Sequence, residues 1–462
     1  MRKEKNYVIN EYTPLLAIAG PMFFELLLGI MLNNIDTLML SHYNEYMVGA
    51  VGNANQIMFL INILFNIIAT ATSVVVAQYL GAKMYDKMNM IYSLAVIFNA
   101  VFGVLLSALI VVLNPAFMAF LRISDEMRSY AMTYIYIVGG GSFLMAVYNV
   151  LIQILRCNGY PKIGMYISIA INVINIGGNY LFLYGGLKHL NMGVAGVAIS
   201  TVTARLIAVI AAILFFYIGK IGKVSIKYIR PFPFSQLMKM IKIGLPSAGE
   251  NFSYTAYQMC LLSFVNVMGN DSVNARAYCN LLISFAIVFS NSSAMATQII
   301  TGHLVGAGKE DMAYKRVFKT LLVSMPITIG LAFINWRICP YTLKIFTENE
   351  NIIALGSMIM FVDIFVEIGR CLNMTFICSL KAAGAYLFPL IVGFFTMWGL
   401  GLTLGYTFGV LLGIGIAGIY MGTAADECVR GLIVMYYWYK KKWYGKAVVE
   451  KKEADKEIQN EE

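Results

Sequence analysis

Apolar residues run through this chain in long stretches, and the charged ones gather in the short segments between them. The runs at 89–113, 131–155, 193–219 and 320–338 can each cross the roughly 30 Å of a bilayer's hydrocarbon as helix. Less pure runs near 13–40, 48–80, 163–184, 244–268, 275–305, 352–379, 383–408 and 414–438 bring the expected number of spans to twelve. None shows the period-two alternation over short segments that a membrane β-barrel requires. The pattern therefore predicts an all-α polytopic membrane protein. Its first run carries Glu25, Asn33, Asn34 and Asp36 and offers no small-residue cleavage site, so it is expected to stay as a working helix.

Polar landmarks repeat at a fixed spacing of 225 positions. Pro21 and Glu25 recur as Pro246 and Glu250, Asn55 as Asn280, Gly81-Ala82 as Gly306-Ala307, Asp86 as Asp311, Pro115 as Pro340 and Gly159 as Gly384. Apolar composition aligns Leu with Ile by chance, but it does not hold Pro, Glu, Asn and Gly in one gapless register. Twelve spans in two copies give six per copy, and an even number makes both copies enter the bilayer from the same side. The expected architecture is two parallel six-helix lobes with a central cavity opening outward or inward. The expected division is a cytoplasmic N-terminus at 1–12, a lobe at 13–219, a cytoplasmic connection at 220–242, a second lobe at 243–439 and a tail at 440–462. Arg230-Pro231-Phe232-Pro233 interrupts helix within the connection.

Composition agrees with a membrane location: 59% hydrophobic and 13% charged residues are incompatible with an ordinary soluble domain. With both termini inside, 25 of the 34 Lys and Arg residues fall in cytoplasmic segments, which predicts that orientation in the plasma membrane. The net charge of +10 is then mostly a retention signal aided by anionic lipid heads, and nucleic-acid binding has no support. Seven scattered cysteines and three histidines show no ligand spacing, so neither a metal nor a redox role is expected. Gly81-Ala82-Lys83 and Gly306-Ala307-Gly308-Lys309 end helices but lack the spacing of a phosphate loop. Without ATPase machinery or a cofactor, and with no enzyme activity expected, any pumping must draw on an ion gradient or a partner. The tail starts basic, passes through Trp443-Tyr444 as an interfacial anchor and ends in the solvated stretch Lys451–Glu462.

Ionisable groups at membrane depth cost several kcal/mol unless paired, protonated or hydrated, so each one asks for a reason. Glu25 and Asp36 are eleven positions apart in the first span, which places them within about 20° of one face and about 16 Å apart along the axis. Asp36 is the first candidate for proton or cation coupling, against the plainer reading that it hydrates a helix end. In the fifth span, Asn175 and Asn179 share a face one turn beyond Asn172 and suit a carboxylate partner or a small cation, or serve as packing glue between helices. Pro21 and Pro246 each precede a glutamate by four positions and permit kinks. The tenth span holds the densest polar cluster, Asp363, Glu367, Arg370 and Asn373, in which Glu367 and Arg370 form either a structural lock or a pair that opens during transport. Asp426, Glu427 and Arg430 are expected near the cytoplasmic end of the last span, as structural pairs or an inner gate.

At this point the chain resembles the multidrug and toxic compound extrusion (MATE) family over residues 10–440. The resemblance rests on Gly20-Pro21 with Ile35-Asp36-Thr37, on Val76-Ala77-Gln78-Tyr79-Leu80-Gly81-Ala82 and on Asn179-Tyr180-Leu181-Phe182-Leu183-Tyr184-Gly185. It continues with Gly193-Val194-Ala195-Gly196-Val197-Ala198, Ile243-Gly244-Leu245-Pro246 and Gly302-His303-Leu304-Val305-Gly306-Ala307-Gly308. The resemblance implies export of organic cations or other amphipathic compounds in exchange for Na⁺ or H⁺, with Asp36 as a principal coupling residue supported by Asn175. Some family members carry aspartate where this chain has Asn179. Others use an acidic pair in the second lobe at places that fall here near Tyr254 and Arg370, so Glu25, Glu250, Glu367, Arg370 and Asn373 are expected to form the substrate cavity or a differently placed acidic centre.

The expected function is secondary antiport by alternating access. The expected partners are membrane lipids and a small cationic amphipathic substrate, handled by a monomer. A flippase for a lipid or polyprenyl-linked precursor is the alternative, kept open by Arg205, Arg276 and Arg370, with a channel or a non-transporting scaffold as a third option.

Overall fold

The structure, a computed structural model, describes residues 9–10, 12–41, 43–120 and 123–449. The expected N-terminus therefore lies largely, and the stretch Lys451–Glu462 wholly, outside the described residues. Twelve helical rods follow one another. The first six are α1 (Leu15–Ser41), α2 (Glu45–Gly81), α3 (Tyr85–Phe120), α4 (Asp125–Tyr134 and Phe143–Cys157 around a wide π turn), α5 (Pro161–Leu183) and α6 (Val194–Ile218). The second six are α7 (Phe234–Val267), α8 (Asn270–Gly306), α9 (Glu310–Leu343), α10 (Glu350–Ala382), α11 (Leu387–Leu411, including two π turns) and α12 (Ile416–Tyr439).

Among the described residues nine of these are long and apolar enough to cross a membrane, ten if the two halves of α4, bent by 45°, count as one span. That is fewer than the twelve the sequence leads one to expect. The two rods left out are the polar ones: α7 carries Lys239, Lys242 and Glu250, and α12 carries Asp426, Glu427 and Arg430. The chain is an all-α polytopic membrane protein.

The 225-residue register reappears in the elements. Both ends of α2 and α8 differ by it, as do the outer limits of α4 and α10. Turn geometry repeats with it: Gly159 and Gly384 have φ of 85° and 89°, and Lys83 and Gly308 have 58° and 70°. These are left-handed conformations, which glycine adopts at little cost and lysine only under constraint.

Two compact units result. The first contains Phe24–Val76 and Met84–Gly244. Its core gathers Leu40, Ala54, Phe65, Tyr134, Ile135 and Val197, with a second cluster around Leu151, Leu155, Val209 and Ala212. The other contains Ile9–Phe23, Ala77–Lys83 and the chain from Leu245 onward, with a core of Tyr257, Val265, Cys279, Ile359, Val366 and Ile419. Within that unit the ends of α2 and α8 touch backbone to backbone, because a side chain at Gly81 would collide with the His303 carbonyl and one at Gly306 with the Gln78 carbonyl. Likewise Gly405 of α11 lies against Gly422 of α12 with no room for a Cβ between them.

The segment after α12 folds back onto the same unit. Trp443, expected as an interfacial anchor, is fully buried and stacks on Trp438 with ring centroids 4.0 Å apart. Polar contacts explain why it turns inward: Lys441 Nζ and the Tyr444 hydroxyl each lie 2.8 Å from Asp311 Oδ1, and the Gly445 amide donates to Glu310 Oε1 at 2.9 Å. Gln78 closes the segment, donating from Nε2 to the Ala382 carbonyl at 2.6 Å and accepting at Oε1 from the Val448 amide at 2.7 Å.

Candidate functional site

In the first unit Asp36 is buried in α1, a turn short of its end, where the plainer expectation of a hydrated helix terminus does not hold. Asn179 Nδ2 on α5 donates to Asp36 Oδ1 at 2.6 Å and to Asn175 Oδ1 at 3.1 Å. Asn175 passes the chain to α6 by donating to Thr201 Oγ1 at 3.0 Å, and Thr201 donates to the Val197 carbonyl. Both asparagines are wholly buried, so three helices meet at one carboxylate through a directed series of amide and hydroxyl groups. Gly178 makes the approach of α5 and α6 possible, since a side chain there would overlap Ser200, whose hydroxyl donates to the Asn175 carbonyl. Thr201 and Ser200 carry no charge or motif that would have marked them in the sequence.

Glu25 does not join this group. Arg156 Nη2 at the end of α4 lies 2.8 Å from its Oε2, with both side chains buried. In the second unit Lys381 Nζ at the end of α10 lies 2.7 Å from Glu250 Oε2. Arg156 and Lys381 stand in the same 225-residue register as the two acids, so the duplication carries a complete ion pair. The sequence signal was available in the spacing, but Arg156 and Lys381 look like ordinary basic residues flanking a span. Pro21 and Pro246 both lie inside their helices, one turn before the paired glutamates.

The remaining charged residues of the second unit form one network. Glu367 and Arg370 are hydrogen-bonded, and Arg370 Nε lies 3.9 Å from Glu427 Oε1. Asn373 donates to Glu427 Oε2 at 2.8 Å, while Arg430 Nη2 lies 2.7 Å from Asp426 Oδ2 and 3.2 Å from Glu427 Oε2. The sequence reading separates these residues into an acidic centre on α10 and a gate near the end of the last span. They are instead one cluster, because Asp426, Glu427 and Arg430 lie at the middle of α12, which packs along α10. Asp363 on α10 is also buried, and neither of its oxygens has a hydrogen-bond partner among the described residues. Four carboxylates thus share a buried region with the two guanidinium groups of Arg370 and Arg430, which leaves acid in excess. Beside it, Arg276 donates to Gln258, and Gln258 to the Tyr254 hydroxyl. Among the described residues no group of three His, Cys, Asp or Glu side chains is placed to hold a metal ion.

A duplicated all-helical membrane chain with a buried, amide-bonded carboxylate in one unit and a buried, acid-rich network in the other is the build of a secondary transporter rather than an enzyme. The MatE family model matches residues 21–181 and 246–407, two matches that begin one repeat apart, and the chain belongs to the MATE family. It is 34% identical to the uncharacterized transporter YisQ of Bacillus subtilis over 94% of this chain and 95% of that one. It is 24% identical to the probable multidrug resistance protein NorM of Thermotoga maritima, covering 96% of this chain and 97% of the relative. Among solved structures, an outward-facing multidrug resistance MATE family transporter of the MOP superfamily superposes with a TM-score of 0.87 at 18% identity, covering 95% of this chain and 98% of that one. A MOP superfamily transporter from Pyrococcus furiosus, described as having a binding pocket of reversed polarity, matches with a TM-score of 0.84 at 18% identity over 92% and 95% of the two chains.

Proposed function

We propose that this chain is an ion-coupled secondary antiporter exporting cationic amphipathic compounds, with Asp36 as the residue that carries the coupling ion. The observation behind the assignment is the Asp36 site itself: a buried carboxylate held by Asn179 at 2.6 Å, on which the Arg205 guanidinium of α6 acts only from longer range, in a unit whose other buried acid, Glu25, is in direct contact with Arg156. A carboxylate bonded to neutral amides can gain and lose a proton or Na⁺ without breaking an ion pair, whereas Glu25 and Glu250 cannot. Loading Asp36 removes a charge from the protein interior, and that change in solvation energy biases the equilibrium between conformations. Substrate and ion then exchange if each favours a different conformation. The acid excess around Glu367, Asp363, Asp426 and Glu427 favours a cationic substrate or a second coupling ion over an anionic lipid precursor. On this reading all twelve rods are spans, with lobes at 13–219 and 243–439, both termini cytoplasmic and one chain sufficient for transport.

The test is efflux of a fluorescent organic cation from proteoliposomes under separately imposed Na⁺ and proton gradients. Asp36→Asn is expected to lower gradient-driven efflux at least tenfold while the protein stays folded. Full coupled efflux in that variant, or transport in the wild type that ignores both gradients, refutes the assignment.

A further inference from the structure

The connection after α6 builds a second, separate site. Beyond Ile218 the chain turns at Lys220, whose φ is 51°, and lays residues 221–225 against α3. The Lys223 amide donates to Asn89 Oδ1 at 2.8 Å, and the Ser225 amide donates to Ser93 Oγ at 3.0 Å. Gly222 allows this approach, since a Cβ there would stand 2.7 Å from the Tyr92 ring. The Tyr217 hydroxyl donates to the Val224 carbonyl at 3.2 Å, and a short 3₁₀ turn, Ile226–Ile229, completes the segment. The backbone is thus fixed beside an open surface cavity of about 410 Å³ lined by Tyr217, Lys223, Val224, Ser225, Lys227 and Tyr228.

Charge and position say what this cavity takes. Neither Lys223 nor Lys227 has an acidic partner among the described residues, and the sequence from Lys220 to Lys242 holds six basic residues and no acidic one. Directly before the cavity, α6 exposes Leu206, Ile210, Leu214 and Tyr217 on one face, each about half accessible, with Ile218 exposed at 75%. This stripe runs about 16 Å along the helix, close to the roughly 15 Å of one leaflet's hydrocarbon. Its end at Tyr217, with Tyr228 beside it, puts two amphipathic rings where headgroups lie. An acyl chain fits the stripe, and an anion fits the lysines at its foot.

We propose that this cavity binds the phosphate of an acidic phospholipid, with Lys223 and Lys227 as the charged contacts and one acyl chain lying along Leu206, Ile210 and Leu214. The site uses none of the residues assigned to coupling and does not depend on that assignment.

The test is native mass spectrometry of the full-length protein released from micelles that contain phosphatidylglycerol, phosphatidylcholine or diacylglycerol. Wild type is expected to retain phosphatidylglycerol in preference to the other two. At about 1 kcal/mol per lysine, the Lys223→Gln/Lys227→Gln double variant is expected to lose roughly 30-fold of that preference. Lys223→Arg/Lys227→Arg should keep it, and so should Lys239→Gln/Lys242→Gln, which removes the same charge elsewhere in the connection. Equal loss in the 239/242 variant would reduce the effect to general electrostatics and overturn the site, as would unchanged preference in the 223/227 double variant. Retention of diacylglycerol equal to that of phosphatidylglycerol would overturn the phosphate contact, and displacement of the lipid by inorganic phosphate at millimolar concentration would overturn the role of the acyl stripe.

Discussion

At the scale of single residues, the ion pairs Glu25–Arg156 and Glu250–Lys381 and the amide-bonded Asp36 are two different settings for an acid within a helix. Removing one partner of a buried pair strands the other charge, a loss of about 3–5 kcal/mol. Arg156→Met should therefore lower the thermal stability of the purified protein by that order, and Glu25→Gln/Arg156→Met should recover most of it; a double variant as unstable as the single would contradict the pairing. Asn179→Asp places a second carboxylate where an amide now donates to Asp36 at 2.6 Å. Like charges at that distance favour retention of a shared proton, so the pH profile of efflux should shift to more alkaline values relative to wild type. The Asp36 site was legible in the sequence up to Asn175 and Asn179, because their i, i+4 spacing fixes one helix face. Thr201 and Ser200 were not legible, since ordinary hydroxyls acquire a role only when α6 lies beside α5. Arg156 and Lys381 were hidden for the same reason: no rule of local spacing brings the end of α4 to the middle of α1.

At the scale of elements, glycines decide how closely helices approach. Gly422 of α12 faces the backbone of Gly405 on α11. Since backbone cannot move aside as a flexible side chain does, Gly422→Val should force the helices apart and destabilise the protein by about 1–3 kcal/mol or more, read as a lower melting temperature, whereas Gly399→Ala, where a Cβ meets nothing within 4 Å, should change little. Most helix limits were legible because apolar runs and their punctuating glycines mark them, but α7 and α9 begin at Phe234 and Glu310, ten residues before the expected 244 and 320, because their first turns are polar. The bend in α4 was not, although Gly139-Gly140-Gly141 sits at it, because the apolar run from 131 to 155 passes through without a polar break. Polarity misleads in the other direction at α12, where buried Asp426, Glu427 and Arg430 lower hydropathy, and at α7, where exposed Lys242 and partly buried Lys239 and Glu250 do so, in helices as long as their neighbours.

At the scale of the whole chain, the duplication organises what the sequence alone could and could not show. It carried the helix order and the paired acids, and it aligns the segment after α12 with the connection after α6, where left-handed Lys220 (φ 51°) answers left-handed Gly445 (φ 73°), but it said nothing of the contacts that bury the C-terminal segment. That segment is held by Gln78, whose amide joins Ala382 to Val448, and by Trp443 stacked on Trp438. Gln78→Ala removes these bonds, each worth about 0.5–1.5 kcal/mol, and should raise amide hydrogen exchange at residues 445–449 by at least tenfold; unchanged protection would show that the tryptophan stack alone suffices. The duplicated ion pair has a further consequence, for how the protein is made. Glu25 precedes Arg156 by 131 residues, and Glu250 precedes Lys381 by the same number. At about 5–20 residues per second, the ribosome needs roughly 7–26 s to deliver each partner. Throughout that interval each acid must wait in or beside the translocon without its base, where a lone charge within a helix opposes insertion by about 2.5–3.5 kcal/mol. Each half of the molecule can therefore settle only when its fourth helix arrives, and loss of Arg156 or Lys381 should appear first as poor membrane assembly of newly made chains, before any defect in transport can be measured.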